Sequence, residues 1–216
     1  MKLTSITRRL HDAAGRWEKR NARIRNARKA ARVYERFPHP VRLHVGCATV
    51  LLNGWINTDY YDGVGEFAWD ANDPYPLPAA SCQFIYNEHF FEHLPRETGA
   101  RFLTDAYRLL IPDGVLRVAT PSLEEIARQY GSSEWREQSW LKLPHNSGIA
   151  TPCEMVNTAM RAWGHTWIYD HEELHRYMET AGFRTIRYCR RGESEVPELR
   201  GLETREDSLL ICEAVR

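Results

Sequence analysis

The stretch RLHVGCATVLLNGWINTDYYDGVGEFAWD, residues 42–70, decides the fold. Residues 43–48 are predicted to form a short buried strand that runs into a glycine turn at Gly46. Residues 56–59 are predicted to form a second strand, which ends in the acid Asp59. This order of elements, a strand, a glycine turn and a strand that ends in an acid, is typical of a nucleoside-binding site. The glycine lets the ligand approach the backbone closely, and the acid binds ribose hydroxyls. An ordinary strand–loop–strand with a solvated acid is the alternative.

The remainder of the chain continues this alternation of strands and helices. Helices are predicted at about 97–110 and at 170–181, and further strands at 82–86, 115–119, 183–189 and 208–215. This order predicts an α/β fold of the Rossmann-like type, a three-layer sandwich in which a mostly parallel sheet lies between helices. Residues 121–168 break the rhythm, contain four tryptophans, and are predicted to form a substrate lid.

The N-terminal segment differs from the body in charge. Residues 1–36 carry twelve Lys and Arg against three acids, although the whole chain of 216 residues is formally neutral, so the body carries the opposite excess. Apolar residues near a helical spacing predict an amphipathic helix over 3–34, closed by Pro38 and Pro40. We therefore divide the chain into a basic arm, 1–36, and a domain, 37–216. The arm could dock on its own body, on a second subunit as in a homodimer, or on an anionic surface.

Composition narrows the cellular setting and the partners. The five cysteines are odd in number and lack the spacing of a metal or disulfide motif, which indicates a reducing compartment. No apolar run is long enough to span a membrane, and we expect a cytoplasmic location. An acidic body would repel phosphates, so nucleic acid is not favoured as a partner.

Four stretches resemble the class I S-adenosylmethionine (SAM)-dependent methyltransferases, in particular a compact bacterial group with a GWIN-D segment. They are HVGCATVLLNGWINTD, WDANDPYPLPAASCQFIYNEHFFEHL, AYRLLIPDGVLRVATPS and GHTWIYDHEELHRYMETAGF. Together they cover nearly all of residues 41–189. The resemblance implies SAM as cofactor and a sheet of seven strands whose last strand is antiparallel.

The resemblance also implies which residues bind the cofactor. They are the first turn, Gly46, Cys47 and Ala48, for the methionine part; Asp59 with Tyr60 for the ribose; Asp70 with Ala71 for the adenine; and Asn87 for the sulfonium end. Two positions depart from the family. Asp113 in Pro-Asp-Gly, where the family has Pro-Gly-Gly, is a mild change because Asp tolerates such turns. The departure that matters is Ala48, which stands where the family has the second glycine of Gly-x-Gly. Alanine leaves room for the cofactor unless this turn requires a positive φ, where glycine alone is comfortable.

The candidate catalytic residues are His89, Glu92, His93 and His165. A hydroxyl acceptor benefits from a base near neutral pH, and imidazole is that base, while Glu92 would hold a histidine or a substrate hydroxyl. His165, Trp167 and Tyr169 alternate, so an extended segment would place them on one side, where they suit a sugar ring or a planar acceptor. The prediction is methyl transfer to a small-molecule or glycan-type acceptor, with oxygen favoured.

Two alternatives remain open. A non-catalytic relative could keep the fold as a binding or assembly module, given the altered first turn and the large arm. The motif His-x-x-Glu-His at residues 89–93 also matches a zinc hydrolase. On a helix, both imidazoles would face one side as metal ligands, but the motif follows a strand and Pro95 interrupts the helix. We therefore predict no metal ligands.

Overall fold

A computed structural model describes the backbone of residues 3–216 and the side chains of residues 17–216. The helices are α1 (Leu3–Tyr34), α2 (Arg96–Leu109), α3 (Leu123–Tyr130), α4 (Pro152–Arg161) and α5 (His171–Ala181). The strands are β1 (Val41–Val45), β2 (Ile56–Asp59), β3 (Phe67–Ala68), β4 (Cys82–Glu88), β5 (Leu110–Thr120), β6 (Thr185–Cys189) and β7 (Leu210–Val215).

The seven strands form one sheet in the order β3-β2-β1-β4-β5-β7-β6. Neighbours pair in parallel from β3 to β5, whereas β7 is antiparallel to both β5 and β6. This confirms the predicted Rossmann-like fold with an antiparallel last strand. The chain adds β2 and β3 on one side of β1 and then returns to add β4 on the other. The gap between β1 and β4 is therefore the switch point at which open α/β sheets bind ligands.

The strand that the sequence pattern missed is β3, which has only two residues. A strand of this length carries no measurable alternation, so periodicity could not reveal it. Helices α3 and α4 were not predicted either, because they lie within the segment 121–168 that was interpreted only as a lid. The other elements lie within a few residues of their predicted bounds. The bounds of helix α5 could be predicted because both of its ends carry typical capping residues. The Asp170 side chain accepts a hydrogen bond from the Glu173 N–H (2.8 Å), and Gly182 ends the helix in the left-handed region.

The two faces of the sheet are packed differently. The larger core lies on the face that α2 and α5 cover, where Leu43, Ile85 and Leu116 are fully buried. On the opposite face, Trp55, Phe84 and Tyr86 form a second cluster with Leu199. Residues from the segments 48–55 and 190–207 therefore help to cover this second face, and they hold the strand ends that carry the candidate site.

The end of α1 contacts the rest of the chain. Ala30 and Val33 are buried in the larger core, and Lys29 Nζ lies 3.5 Å from Asp62 Oδ1. Arg23 forms a further ion pair with Asp73. Over the described residues, no helix has the length and apolar content needed to cross a membrane.

Candidate functional site

The first turn of the candidate site follows β1 directly. Gly46 has φ +71°, and a Cβ placed on it would lie 2.7 Å from the Phe90 ring, so only glycine fits here. The N–H groups of Gly46 and Cys47 donate to the Thr58 carbonyl at 2.8 and 3.0 Å. Burial raises the pKa of the Cys47 thiol to about 11, which keeps the thiol protonated. The turn is thus fixed against β2, and Cys47 packs rather than reacts.

At Ala48, where the family has glycine, the sequence alone did not show whether the turn requires a positive φ. Its φ is +42°, in the left-handed region, and its N–H donates to Asp59 Oδ2 at 2.9 Å. The N–H of Tyr61 donates to Asp59 Oδ1 at 3.2 Å. Two backbone bonds therefore fix the carboxylate at the end of β2, and its oxygens retain lone pairs for further hydroxyl donors.

The remaining residues predicted to bind the cofactor, Tyr60, Asp70 and Ala71, follow the ends of β2 and β3. Tyr60 is largely exposed, and Ala71 packs on the larger core. Asp70 Oδ1 accepts hydrogen bonds from the N–H and the side-chain amide of Asn72, both at 2.9 Å. These positions lie after β2 and β3, on the same edge of the sheet as the first turn.

Asn87 marks the third strand end of this edge. Its side chain is fully buried in β4, and neither Oδ1 nor Nδ2 has a hydrogen-bond partner among the described residues. A buried amide without partners costs on the order of 1–3 kcal/mol. Such a group is expected where a ligand completes the hydrogen bonds, and Asn87 stands at the position implied for the sulfonium end of the cofactor.

The four candidate catalytic residues lie close together in space, around the side chain of Glu92. The Glu92 side chain is fully buried, and Oε1 lies 3.1 Å from His89 Nδ1, 4.0 Å from His93 Nε2 and 3.9 Å from His165 Nε2. Glu92 Oε2 accepts a hydrogen bond from the Thr120 hydroxyl at 3.0 Å. We call this group, Glu92 with His89, His93 and His165, the Glu92 cluster.

Burial and neighbouring charges shift the pKa values of Glu92 and His165 in this cluster. Burial favours the neutral form of Glu92, but the neighbouring His89 and His93 outweigh it and hold the pKa of the carboxyl below its usual value. Burial lowers the pKa of His165 and favours its neutral ring. His165 Nδ1 lies 2.7 Å from the Ala159 carbonyl, so this nitrogen carries the proton and Nε2 carries the lone pair.

Residues of the segment 121–168, together with residues from 206–209, line a cavity of about 350 Å³ beside the cluster. His165 lies in its wall, together with Trp140 and Trp163, whose rings are perpendicular at 5.7 Å. Five carboxylates also line it: Glu125, Glu134, Glu137, Glu206 and Asp207. The cavity is in the size range of small-molecule sites and combines aromatic faces with hydrogen-bond acceptors.

The alternating aromatic residues do not share one site as predicted. Tyr169 is fully buried and packs on Phe91 at 4.7 Å, and Trp167 lies under the Arg96 guanidinium at 4.6 Å. The segment bends at this point, because the N–H groups of Thr166 and Trp167 both donate to the Glu92 carbonyl at 2.8 and 3.1 Å. The tryptophan beside His165 is Trp163, at 5.5 Å.

The His-x-x-Glu-His motif does not lie on an α-helix. Residues Phe91–His93 form a single 3₁₀ turn, and His89 precedes it with φ +48°. Because no α-helix runs through these residues, His89 and His93 do not lie on one face of a helix. The arrangement of ligands that the zinc-hydrolase motif requires is therefore not formed. His93 instead faces His165, at a ring distance of 5.0 Å.

Sequence reasoning missed Glu88 and Asp207. The Glu88 carboxylate accepts hydrogen bonds from the Thr204 N–H at 3.0 Å and from the Ser208 hydroxyl at 2.7 Å. These bonds hold Asp207 at the cavity, where its Oδ1 lies 3.6 Å from His89 Nε2. The position of Glu88 at the carboxyl end of β4 was the available signal, because ligands bind at that edge of a parallel sheet.

No family model matches the chain, and no curated protein sequence matches it. Among solved structures, it is similar to a SAM-dependent methyltransferase of Archaeoglobus fulgidus, with 16% identity, a TM-score of 0.48, and coverage of 90% of this chain and 94% of that chain. A SAM-dependent methyltransferase of Thermotoga maritima has 17% identity, coverage of 96% of both chains and a TM-score of 0.49. One from Mesorhizobium loti has 13% identity, coverage of 82% and 90%, and a TM-score of 0.49.

Proposed function

We propose that this chain transfers a methyl group from S-adenosylmethionine to a hydroxyl of a small-molecule or glycan-type acceptor. One observation carries the proposal: Gly46, Asp59 and Asn87 stand together at the carboxyl ends of β1, β2 and β4, beside the switch point of the sheet. The carboxylate suits ribose hydroxyls, and the buried amide of Asn87 has no hydrogen-bond partner within the described part of the chain, so a ligand could provide one. The residues present therefore fit this cofactor.

When bound, the cofactor supplies an electrophilic methyl group on a sulfonium. The protein's own task is alignment, because methyl transfer is an in-line displacement that depends on the placement of the acceptor oxygen. Held by Gly46, Asp59 and Asn87, the cofactor would supply the methyl carbon for the new bond to oxygen, and its sulfur would take the electron pair of the broken carbon–sulfur bond. The hydroxyl proton leaves toward the Glu92 cluster, whose His165 Nε2 holds a lone pair in the wall of the cavity.

The cavity supports an acceptor with several hydroxyls. Carboxylates such as Asp207 and Glu206 accept hydroxyl hydrogen bonds, and the faces of Trp140 and Trp163 suit the apolar side of a sugar ring. The same carboxylates would repel an acidic or phosphorylated acceptor. On this proposal, the segment 121–168 acts as the lid over the acceptor.

Asp59→Ala tests the cofactor site. Loss of hydrogen bonds to a carboxylate costs about 1.5–3 kcal/mol, so we expect the dissociation constant for SAM to rise at least about tenfold. Calorimetric titration with SAM and with its demethylated product measures the change. Asp62→Ala is the matched control, since Asp62 is exposed in the same loop and should leave the affinity unchanged.

Equal affinities of Asp59→Ala and the unaltered protein would contradict the proposed site. Transfer of a labelled methyl group to a panel of neutral sugars and phenols then tests the reaction itself. Tight cofactor binding without transfer to any acceptor would favour a non-catalytic binding or assembly module.

A further inference from the structure

The Glu92 cluster contains an arrangement that methyl transfer alone does not explain. Ligand atoms of Glu92, His93 and His165 all lie within 4.8 Å of one another. One of these atoms, Glu92 Oε1, is buried and has no hydrogen-bond partner among the residues that the structure describes. His89 Nδ1 lies 3.1 Å from this oxygen but forms no hydrogen bond with it. A buried carboxylate oxygen without a donor requires a cation or a donor from outside the chain.

The tautomer of His165 points to a cation. Its Nδ1–H donates to the Ala159 carbonyl at 2.7 Å, so the lone pair of Nε2 faces Glu92 Oε1 across 3.9 Å. Two electron-rich atoms in this arrangement repel each other unless a positive charge or a proton lies between them. A histidine that donates one N–H to a backbone carbonyl and presents its other nitrogen to a shared point is the usual form of a metal ligand.

His93 completes the set from the opposite side. Its Nε2 lies 4.0 Å from Glu92 Oε1, and its ring meets that of His165 nearly edge to face at a centroid distance of 5.0 Å. Two imidazoles and one carboxylate suit zinc and neighbouring transition ions, whereas Mg²⁺ and Ca²⁺ prefer oxygen ligands alone. The two imidazole nitrogens and one carboxylate therefore favour a divalent transition ion over Mg²⁺ or Ca²⁺.

We propose that Glu92, His93 and His165 bind one divalent transition ion of the zinc type at the wall of the cavity. Ligand bonds of about 2.0–2.1 Å bring tetrahedral ligand atoms to within roughly 3.4 Å of one another, so small side-chain rotations close the present separations. This inference revises the prediction of no metal ligands. It also differs from the hydrolase motif, because His89 lies outside the set and His165 supplies the third ligand.

The site leaves at least one coordination position for a ligand from the cavity. Three protein ligands with an open position are typical of catalytic rather than structural zinc sites. On the proposed function, a hydroxyl oxygen of the acceptor takes this position, where the ion fixes the oxygen and lowers the pKa of the hydroxyl. The lone pair of His165 Nε2 is then bound to the ion, so the hydroxyl proton passes instead to a carboxylate of the cavity wall such as Asp207. This assignment of the occupant rests on the proposed function, but the ion site itself does not.

Zinc titration tests the site. The full chain, freed of any histidine tag and stripped with a chelator, is titrated calorimetrically with zinc chloride. We expect about one ion per chain, and an affinity at least about tenfold weaker in His93→Ala and in His165→Ala. His93 is partly exposed, so its variant is expected to fold, and circular dichroism checks the fold of each variant.

His171→Ala and His175→Ala are the matched controls, because these surface histidines also lie beside carboxylates, Glu124 and Glu179. We expect both controls to keep the affinity of the unaltered protein. The site is refuted if the unaltered protein binds no stoichiometric zinc, if folded His93→Ala binds it equally well, or if a control removes it. SAM titration of the same samples separates the two proposals, since zinc without SAM binding would refute only the proposed function.

Discussion

Ala48 is the residue on which the cofactor turn depends most directly. It occupies the left-handed region, with φ +42°, at the position where the resembling family has glycine. A β-carbon in this region costs roughly 1–2 kcal/mol. The strain is compensated locally, because this conformation lets the Ala48 N–H donate to the Asp59 carboxylate. The departure from Gly-x-Gly therefore strains the backbone, while the Ala48 N–H bonds the carboxylate that is proposed to bind the ribose.

Ala48→Gly is expected to stabilise the protein. Glycine removes the strain of the left-handed conformation, so the free energy of unfolding should rise by about 1 kcal/mol. Denaturation by urea measures the change. Ala100→Gly in α2 is the control, and it should instead lower the free energy of unfolding by about 0.5–1 kcal/mol, because glycine weakens a helix interior. A destabilising Ala48→Gly would mean that the turn does not hold this conformation.

At the scale of the elements, the buried guanidinium of Arg117 links β5 to β7 and to the segment 203–208. Arg117 is fully buried in β5, and its guanidinium bonds Glu203 at 2.7 Å and Glu213 at 2.5 Å. Glu203 Oε2 also accepts the Gly192 N–H at 2.9 Å. Because Asp207 and the cavity wall follow directly, this ion group positions part of the acceptor site.

Arg117→Met should destabilise the protein strongly. The substitution leaves two buried carboxylates without a cation, and we expect a loss of about 3–5 kcal/mol in the free energy of unfolding. Arg128→Met is the control, since Arg128 also pairs with a glutamate, Glu125, but is exposed, and it should cost less than about 1 kcal/mol. Equal effects of the two substitutions in urea denaturation would contradict the role of the buried group.

At the scale of the whole molecule, the sequence predicted most of the sheet and part of the site. Strand and helix periodicity located six of the seven strands, and the order of motifs implied Asp59 and Asn87 at strand ends. The contact of Glu92 with His165 could not be predicted, because it joins positions 73 residues apart through a bend that only tertiary packing sets. The role of Glu88 was hidden for the same reason, since its partners lie more than a hundred residues away.

A crystal structure of the complex with the demethylated product of SAM tests the central claim most directly. We predict that the ribose hydroxyls lie within hydrogen-bond distance of the Asp59 carboxylate and that the sulfur lies beside Asn87, at the switch point between β1 and β4. The Asn87 amide would then gain a partner that none of the residues described by the structure provides. A fully saturated complex with the nucleoside bound elsewhere, or no binding at all, would contradict the account.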